Sequence, residues 1–394
     1  MRRISADYIY TLSGEGPLRN AFVEVDDDGT VLRTGLCSED LGCERFSGAI
    51  VPGFVNTHCH VELSYLKGVF RKGTGMAGFI DQINALRNNV SRDERIRSIS
   101  EWMDRMYDRG VSAMADISNC SDSFAVKASH PMYTRTFVEV FGDNPDDAAD
   151  VIASARRLAA VAREMGLDAA PGPHACYTMS PELLKMSVSD SLEEGFLSYH
   201  SQESSEEEMM IRSGSGPLWD NRVRNGLRTP PVGARSSLGY FVDTALEGRD
   251  LPVDGNVLLV HEVCMDEADA ELAKNAFKHP FVALCPLSNL FIHNTLPPVE
   301  MLRRSGLGIT VGTDSLSSND DLDMVAELHS LQEAFPDVTL EELLCWACLS
   351  GARFLSKDDI LGSIEPGKRP GLVLLENLSH EGRLTAESRS LRIV

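Results

Sequence analysis

The chain has 394 residues, of which 43% are hydrophobic and 24% are charged, as in most globular proteins. Its formal net charge of −22 disfavours nucleic acid and anionic membranes as partners, because both bind through positive charge. The segment MRRISADYIYTLSG lacks the apolar core of a signal peptide, and no stretch approaches about 18 apolar residues, so we expect a cytoplasmic protein without a membrane span.

The first fifty residues differ in kind from the middle of the chain. The segment 8–35 reads as short strands separated by Gly, Pro and Asp-Gly turns. Near the other terminus, GSIEPGKRPGLVLLENL (362–378) reads as a turn and then a strand. We therefore expect residues 1–50 and 356–394 to meet in a small β-sandwich domain.

Strand-like and helix-like segments alternate between these ends. Alternation of this kind implies parallel strand pairing, and eight such units suggest a closed (β/α)8 TIM barrel over residues 51–355. The eight β-rich runs are 49–60, 110–117, 132–141, 166–174, 195–200, 256–261, 281–286 and 307–314.

Two further segments interrupt the pattern. Residues 203–239 read as a long, charged connection rich in Gly, Pro and Ser, which is either a lid or a plain loop. Cys345 and Cys348 form a CxxC motif inside the apolar stretch LEELLCWACLSGARFL. We interpret this motif as buried helix packing, with a redox or metal role as the alternative.

A pair of histidines ends the first barrel run, VPGFVNTHCH. His58 and His60 are two residues apart, so both side chains point to the same face of a strand. They would project inward at the carboxyl end of that strand, where active sites of such barrels lie. The alternative is two polar residues satisfied at a strand end.

Three more polar residues end other runs at the same rim. His200 ends GFLSYH, His261 ends NVLLVH and Asp314 ends ITVGTD. Burying so many polar groups is unfavourable unless a metal offsets the cost. Imidazoles and a carboxylate suit a divalent ion such as Zn²⁺, which lowers the pKa of a coordinated water toward neutrality. Asp314 would both ligate the metal and accept a proton.

Glu203 lies three residues after His200, in HSQE, and is positioned to serve as a proton shuttle. The alternative for Glu203 is a solvated loop acid.

These motifs together resemble the amidohydrolase superfamily. PGFVNTHCH, PHACYTMSPELL, HSQES, LLVHEVCMDE, CPLSNL and VGTDSLSSND occur in that family's order, over about residues 45 to 375. The resemblance is closest to the cytosine-deaminase-like branch, which includes deaminases of S-adenosylhomocysteine, guanine and aminofutalosine and chlorohydrolases of triazines. The fourth run, LDAAPGPHACY, has no lysine, which argues against the two-metal members and against a cyclic amidase.

The resemblance implies one divalent ion, with Zn²⁺ expected and Fe²⁺ or Mn²⁺ also accepted by such ligands. It implies that Glu203 is the proton shuttle, that His261 hydrogen-bonds the attacking water or the tetrahedral centre, and that His174 contacts substrate. The implied metal ligands are His58, His60, His200 and Asp314.

The shuttle acid favours a deaminase over a chlorohydrolase, because departing ammonia must be protonated and chloride need not be. The resemblance suggests a purine nucleoside substrate, either aminofutalosine or S-adenosylhomocysteine and adenosine. The rival hypotheses are a chlorohydrolase of another nitrogen heterocycle and a metal-binding barrel without activity. The only partner expected besides a small-molecule substrate is a second copy in a homodimer.

Four residues are candidates for substrate contacts. Glu62 would bind ribose hydroxyls or support a ligand histidine. Phe79 would stack on a base, or pack in a helix that covers the barrel. Arg71 and Arg135 would anchor a substrate carboxylate, although surface arginine is the simpler interpretation of each.

Overall fold

The structure is a computed structural model that describes residues 1–14, 16–37 and 42–394. Its strands, in chain order, are β1 (Arg2–Ser5), β2 (Tyr8–Ile9), β3 (Ala21–Val25), β4 (Val31–Leu36), β5 (Glu44–Arg45), β6 (Ala49–Pro52), β7 (Phe54–Cys59), β8 (Val111–Ser118), β9 (Tyr133–Val140), β10 (Asp168–Pro173), β11 (Phe196–Ser201), β12 (Val253–His261), β13 (Phe277–Leu284), β14 (Gly308–Val311), β15 (Leu372–Glu376) and β16 (Arg389–Arg392).

The α-helices are numbered in the same way. They are α1 (Gly75–Leu86), α2 (Arg92–Asp108), α3 (Phe124–Ser129), α4 (Ala148–Glu164), α5 (Pro181–Glu193), α6 (Ser205–Ser213), α7 (Pro217–Arg224), α8 (Ser237–Ala245), α9 (Glu267–Ala276), α10 (Pro286–His293), α11 (Val299–Ser305), α12 (Met324–Ala334), α13 (Leu340–Leu344) and α14 (Gly351–Phe354).

Two four-stranded sheets combine the terminal segments of the chain. Their strand orders are β4-β3-β1-β5 and β16-β15-β6-β2. Ile4 and Val23 from the first sheet share a buried apolar cluster with Ile50 and Leu372 from the second. The termini therefore meet across a common core, as expected, while the boundary between this unit and the barrel stays a prediction.

Eight parallel strands form the centre of the molecule, and each overlaps one predicted run, although β7 and β14 contain only half of theirs. They make two four-stranded sheets, β7-β8-β9-β10 and β11-β12-β13-β14. Single bridges join these sheets at both ends, Cys59 to Asp314 and Ala175 to His200. Within the described residues the backbone ladders are continuous in each half, but the eight strands do not close into the fully paired barrel that the sequence predicted. Each seam has one backbone bridge, and side-chain hydrogen bonds such as Thr57 Oγ1 to the carbonyl oxygen of Val311, at 3.0 Å, lie beside the first.

The helices that connect the strands present apolar faces to the sheets. In α4, Ile152, Ala155, Ala159 and Ala162 recur every three or four residues and are buried. Local signals set the ends: Ser180 caps α5 through the backbone N–H of Leu183, three residues on. The helices therefore cover the sheets through their apolar faces.

Residues 203–239 are partly helical. They contain α6, α7 and the first turn of α8, and the irregular segment 225–236 joins α7 to α8. Cys348 is buried and Cys345 partly buried in a short π-helical segment, Cys345–Ser350, consistent with packing. None of the helices within the described ranges has the length and apolar character that crossing a membrane requires.

Candidate active site

The two histidines of β7 lie at the carboxyl end of the barrel strands, where the sequence placed them. Both are buried, at 0% exposure for His58 and 8% for His60. Their Nε2 atoms are 3.2 Å apart. Two nitrogens that bind one tetrahedral zinc ion at about 2.0–2.1 Å lie about 3.3 Å apart, so this spacing fits a shared metal.

The other two predicted ligands, His200 and Asp314, reach the same point from the sheet made of β11–β14. The ligand nitrogens of His58, His60 and His200 all lie within 4.8 Å of one another. Asp314 Oδ1 is 3.7 Å from His58 Nε2 and 3.6 Å from His60 Nε2. Three imidazoles and one carboxylate oxygen therefore converge, and this donor set fits a divalent ion such as zinc.

Hydrogen bonds orient the two metal ligands, His200 and Asp314, that come from the sheet made of β11–β14. His200 Nδ1 lies 3.2 Å from the carbonyl oxygen of His174, so Nδ1 carries the hydrogen and Nε2 keeps its lone pair. Asp314 Oδ2 accepts from the hydroxyls of Ser288 at 2.6 Å and Ser318 at 2.7 Å. These contacts leave one atom of each side chain to face the metal position.

Electrostatics keep these groups in the forms that bind a metal. Burial lowers the pKa of His58, and it lowers the pKa of His200 well below the ordinary value, so both rings are neutral. Burial opposes ionisation of Asp314, but the neighbouring His58 and His60 outweigh burial and hold its pKa well below the usual range. Neutral imidazoles beside a carboxylate are the ligand forms.

A second pair, His261 and Glu203, lies beside the metal donors. His261 Nε2 is 3.5 Å from Glu203 Oε1, and Asn289 Nδ2 donates to His261 Nδ1 at 3.1 Å. In that arrangement the hydrogen of the neutral ring sits on Nε2 and points toward Glu203. Burial lowers the pKa of His261 to about 3.

The surroundings of Glu203 favour its protonated form. Burial, followed by repulsion from Asp314 and Glu207, raises the pKa of Glu203 well above its ordinary value. A turn at Gln202, with a φ of 48°, aims the side chain into the site. Glu207 supports that turn, since its carboxylate accepts from the backbone N–H of Gln202 at 3.1 Å and of Glu203 at 2.9 Å.

A cavity of about 340 Å³ opens above the metal donors. Glu62, His174 and Phe79, which the sequence proposed as substrate contacts, all line it. Glu62 Oε2 accepts from the backbone N–H of Asn119 at 2.9 Å. His174 Nδ1 lies 2.8 Å from Thr178 Oγ1. The cavity therefore brings these three together, while their contacts with substrate stay predictions.

The fold and this donor set match a known family. The sequence model of the amidohydrolase family covers residues 49–386 of this chain. The chain belongs to the amidohydrolase family. Its metal-binding chemistry and its catalytic rim are accordingly those of a metal-dependent hydrolase that acts on carbon–nitrogen bonds.

Similar proteins agree with this assignment. The 5-methylthioadenosine/S-adenosylhomocysteine deaminase of Pelotomaculum thermopropionicum is 27% identical over 338 residues, which cover 83% of this amidohydrolase and 72% of the relative. The aminofutalosine deaminase of Helicobacter pylori, in complex with methylthio-coformycin, superposes with a TM-score of 0.79 over 100% of both chains at 20% identity. The atrazine chlorohydrolase of Arthrobacter aurescens, in complex with zinc, has a TM-score of 0.75 over 99% of this chain and 93% of its own at 14% identity.

The structure does not bring Arg135 of this amidohydrolase to the cavity. Arg135 lies near the start of β9, at the opposite end of the strand from the rim. Its guanidinium stacks on Phe196, 3.7 Å from the ring centroid, and its Nη2 lies 3.4 Å from the carbonyl oxygen of Glu194. A strand rises about 3.3 Å per residue. Because Arg135 is near the start of β9 and the site is at the carboxyl end, most of the length of the strand separates them. Arg71 is exposed and does not line the cavity either.

Sequence reasoning missed two groups of functional residues. Glu139, near the end of β9, lines the cavity, and the rule that strand ends meet at one rim would have found it. Ser288 and Asn289 orient Asp314 and His261 from the first turn of α10. Both lie in the motif CPLSNL, but the motif alone does not assign their roles, because these depend on contacts between distant segments.

Proposed function

We propose that this amidohydrolase is a deaminase with one metal ion that replaces the exocyclic amine of an adenine nucleoside by oxygen and releases ammonia. The observation that carries the proposal is the position of Glu203, whose Oε1 lies 3.5 Å from His261 Nε2 at the edge of the metal donors. Deamination at a purine carbon needs a proton on a ring nitrogen and another on the departing amine, and one acid serves both steps. The names of the similar deaminases support the same substrate class.

The metal would be held by His58, His60, His200 and Asp314, with zinc as the proposed ion. When bound, such an ion supplies Lewis acidity that makes water nucleophilic near neutral pH. The remaining work belongs to side chains of this chain. Asp314 Oδ1, the oxygen without a serine partner, would accept the proton of the attacking water.

Glu203 would deliver its proton to the ring nitrogen next to the amine-bearing carbon. The resulting carboxylate would then take the hydroxyl proton of the tetrahedral centre and pass it to the amine as the carbon–nitrogen bond breaks and ammonia leaves. The proton that Asp314 took from water would restore the acid form of Glu203. The Nε2–H of His261 would donate to the oxygen on which negative charge develops. Asn289 keeps that donor in place by bonding the other ring nitrogen at 3.1 Å.

The walls of the cavity suit a nucleoside with an apolar 5′ group. Met76, Phe79, Ile80 and Ile83 of α1 recur on one face of the helix and line the cavity over about 10 Å. We propose 5′-thioadenosines, S-adenosylhomocysteine, adenosine and aminofutalosine as the substrates to test. The β-sandwich, a cytoplasmic location and a homodimer belong to this proposal as inferences from the sequence.

The test is ammonia release by metal-loaded protein from those nucleosides, with guanine, cytosine and atrazine as comparisons. Ammonia from an adenine nucleoside and not from the free bases supports the proposal. Chloride from atrazine without ammonia would favour a chlorohydrolase. Neither product from any compound would contradict the proposed substrate class.

Glu203→Gln is the decisive variant. Replacing the acid by an amide removes the transferable proton and retains the shape, so kcat should fall about 10²- to 10⁴-fold with metal content unchanged. Glu271→Gln is the matched control, because the Glu271 side chain is 62% exposed on α9. Normal turnover by Glu203→Gln would remove Glu203 from its proposed role.

A further inference from the structure

One stretch of the cavity wall consists of hydrogen-bond acceptors. Glu62 and Glu139 both line the cavity, and both are bonded to Asn119, the residue that follows β8. The backbone N–H of Asn119 donates to Glu62 Oε2 at 2.9 Å, and its side-chain amide donates to Glu139 Oε2 at 2.9 Å. A single residue therefore positions two carboxylates.

Each carboxylate keeps its second oxygen available. Glu139 Oε1 is buried and accepts no hydrogen bond from the described residues. The closest ring nitrogen, His174 Nε2, is 3.8 Å away, which is beyond hydrogen-bond reach. Donors to Glu62 come from Asn119 and Cys120 and all contact Oε2, so Oε1 has no donor among the described residues. A buried oxygen without a donor, such as Glu139 Oε1, is costly unless a ligand supplies the missing donor.

The proposed substrate has few donors to offer. Carboxylates only accept, and the N3 and N7 atoms of adenine also only accept. The exocyclic amine has to lie at the reacting end, near Glu203. The sugar hydroxyls are then the donors that remain for the acceptor wall, and ribose carries two on adjacent carbons.

We propose that Glu62 and Glu139 together bind the 2′,3′-diol of the ribose, one hydroxyl to each carboxylate, and that Glu139 is a specificity-determining residue of this amidohydrolase. The substrate is then a ribonucleoside with both hydroxyls free. This inference rests on the proposed deaminase function and adds to it the recognition of the sugar.

The experiment compares kcat/KM for ammonia release from adenosine, 2′-deoxyadenosine and 3′-deoxyadenosine with metal-loaded protein. A hydrogen bond to a charged group should make the wild type prefer adenosine over each analogue by about tenfold or more. Glu139→Gln should reduce the preference for one hydroxyl to within about threefold, and Glu62→Gln should do so for the other. In each variant kcat/KM should fall for adenosine and stay unchanged for the analogue that lacks the hydroxyl bound by the replaced carboxylate.

Asp143→Asn is the matched control. Asp143 also lines the cavity, but its Oδ2 already accepts from Arg222 at 3.0 Å and from the backbone N–H of Arg228 at 2.6 Å. The ratio between adenosine and its analogues should therefore not change in this variant. Metal content and melting temperature, measured for every variant, separate a loss of sugar recognition from a loss of structure.

Three outcomes contradict the inference in different ways. Equal rates on adenosine and both analogues would overturn the diol contacts and leave the deaminase function standing. Metal loss in Glu139→Gln would instead make Glu139 a metal ligand, because its carboxylate lies within 4.8 Å of donor atoms of His174 and His200. Ammonia from none of the three nucleosides would overturn the proposed function and this inference with it.

Discussion

The two halves of the barrel contribute different chemistry to one rim. The half made of β7–β10 carries Glu62, Glu139 and His174, which line the cavity with hydrogen-bond acceptors. The half made of β11–β14 carries Glu203 and His261, the proposed proton-transfer pair. In the proposed function, recognition and proton transfer would therefore draw on separate sheets, which touch where the rings of His174 and His200 lie 4.7 Å apart between centroids.

The metal donors are the exception, because they come from both halves. His58 and His60 belong to the first sheet, and His200 and Asp314 to the second. They meet beside the seams, where the backbone N–H of Asp314 donates to the carbonyl of His58 at 3.0 Å and that of His200 to His174 at 2.9 Å. A bound ion would thus add a connection between sheets whose backbones, in the described residues, pair by one bridge at each seam.

The largest effect should follow from breaking this connection. His58→Ala removes a donor at the centre of the cluster, so metal content should drop and kcat/KM should fall on the order of 10³-fold or more. Metal analysis and ammonia release measure the two losses. His279→Ala on β13 is the control, since that ring is exposed and does not line the cavity. Unchanged metal content in His58→Ala would show that the ligand assignment is wrong.

The first half also contains a buried ion pair beneath the histidines. Lys127 bonds Asp116, both at 0% side-chain exposure, and Asp116 Oδ1 accepts from the N–H of Val61, the residue after His60, at 2.8 Å. Lys127→Met would leave a buried charge without its partner and should lower the free energy of unfolding by about 3–5 kcal/mol. Urea unfolding measures the change.

The control for that prediction is Lys127→Met combined with Asp116→Asn, which removes both charges. It should recover part of the lost stability, because the penalty comes from the remaining unpaired carboxylate. Equal stability of the single variant and the wild type would mean that Asp116 does not depend on Lys127.

A smaller effect is expected in the second half. Ser318→Ala removes one of the two hydroxyls that bond Asp314 Oδ2, so metal affinity should fall about 10- to 100-fold while the four ligands remain. A chelator competition measures the affinity. Ser317→Ala next to it is the control, because the Ser317 hydroxyl bonds Ser315 and not Asp314. Equal affinities of the two variants would contradict an orienting role for Ser318.

The smallest effect should concern the apolar wall of α1. Phe79→Ala should raise KM for 5′-methylthioadenosine by about tenfold, since it removes part of the apolar surface that covers the 5′ group. KM for adenosine, which lacks the thioether, should change less. Equal changes for both nucleosides would place Phe79 against the base or in packing with Phe70, 5.6 Å away between ring centroids.

Much of the rim could be predicted because parallel strands align their carboxyl ends. That rule alone places His58, His200, His261 and Asp314 near one another once the strands are recognised. It applied equally to Glu139, which went unnoticed among apolar neighbours. It failed for Arg135, because a residue near the start of a strand points away from the rim however suitable its side chain is.

The sequence by itself therefore determined the strand order and the side chains that the strand ends present, because these follow from periodicity along the chain. Only the tertiary structure decided which atom of each side chain is free. Asn119 joins two carboxylates, Ser288 and Ser318 occupy one oxygen of Asp314, and Asn289 occupies one nitrogen of His261. Asn119, Ser288 and Asn289 reach their partners from distant segments, whereas Ser318 lies four residues from Asp314. A sequence motif can contain such residues, but it does not show which atom they bond.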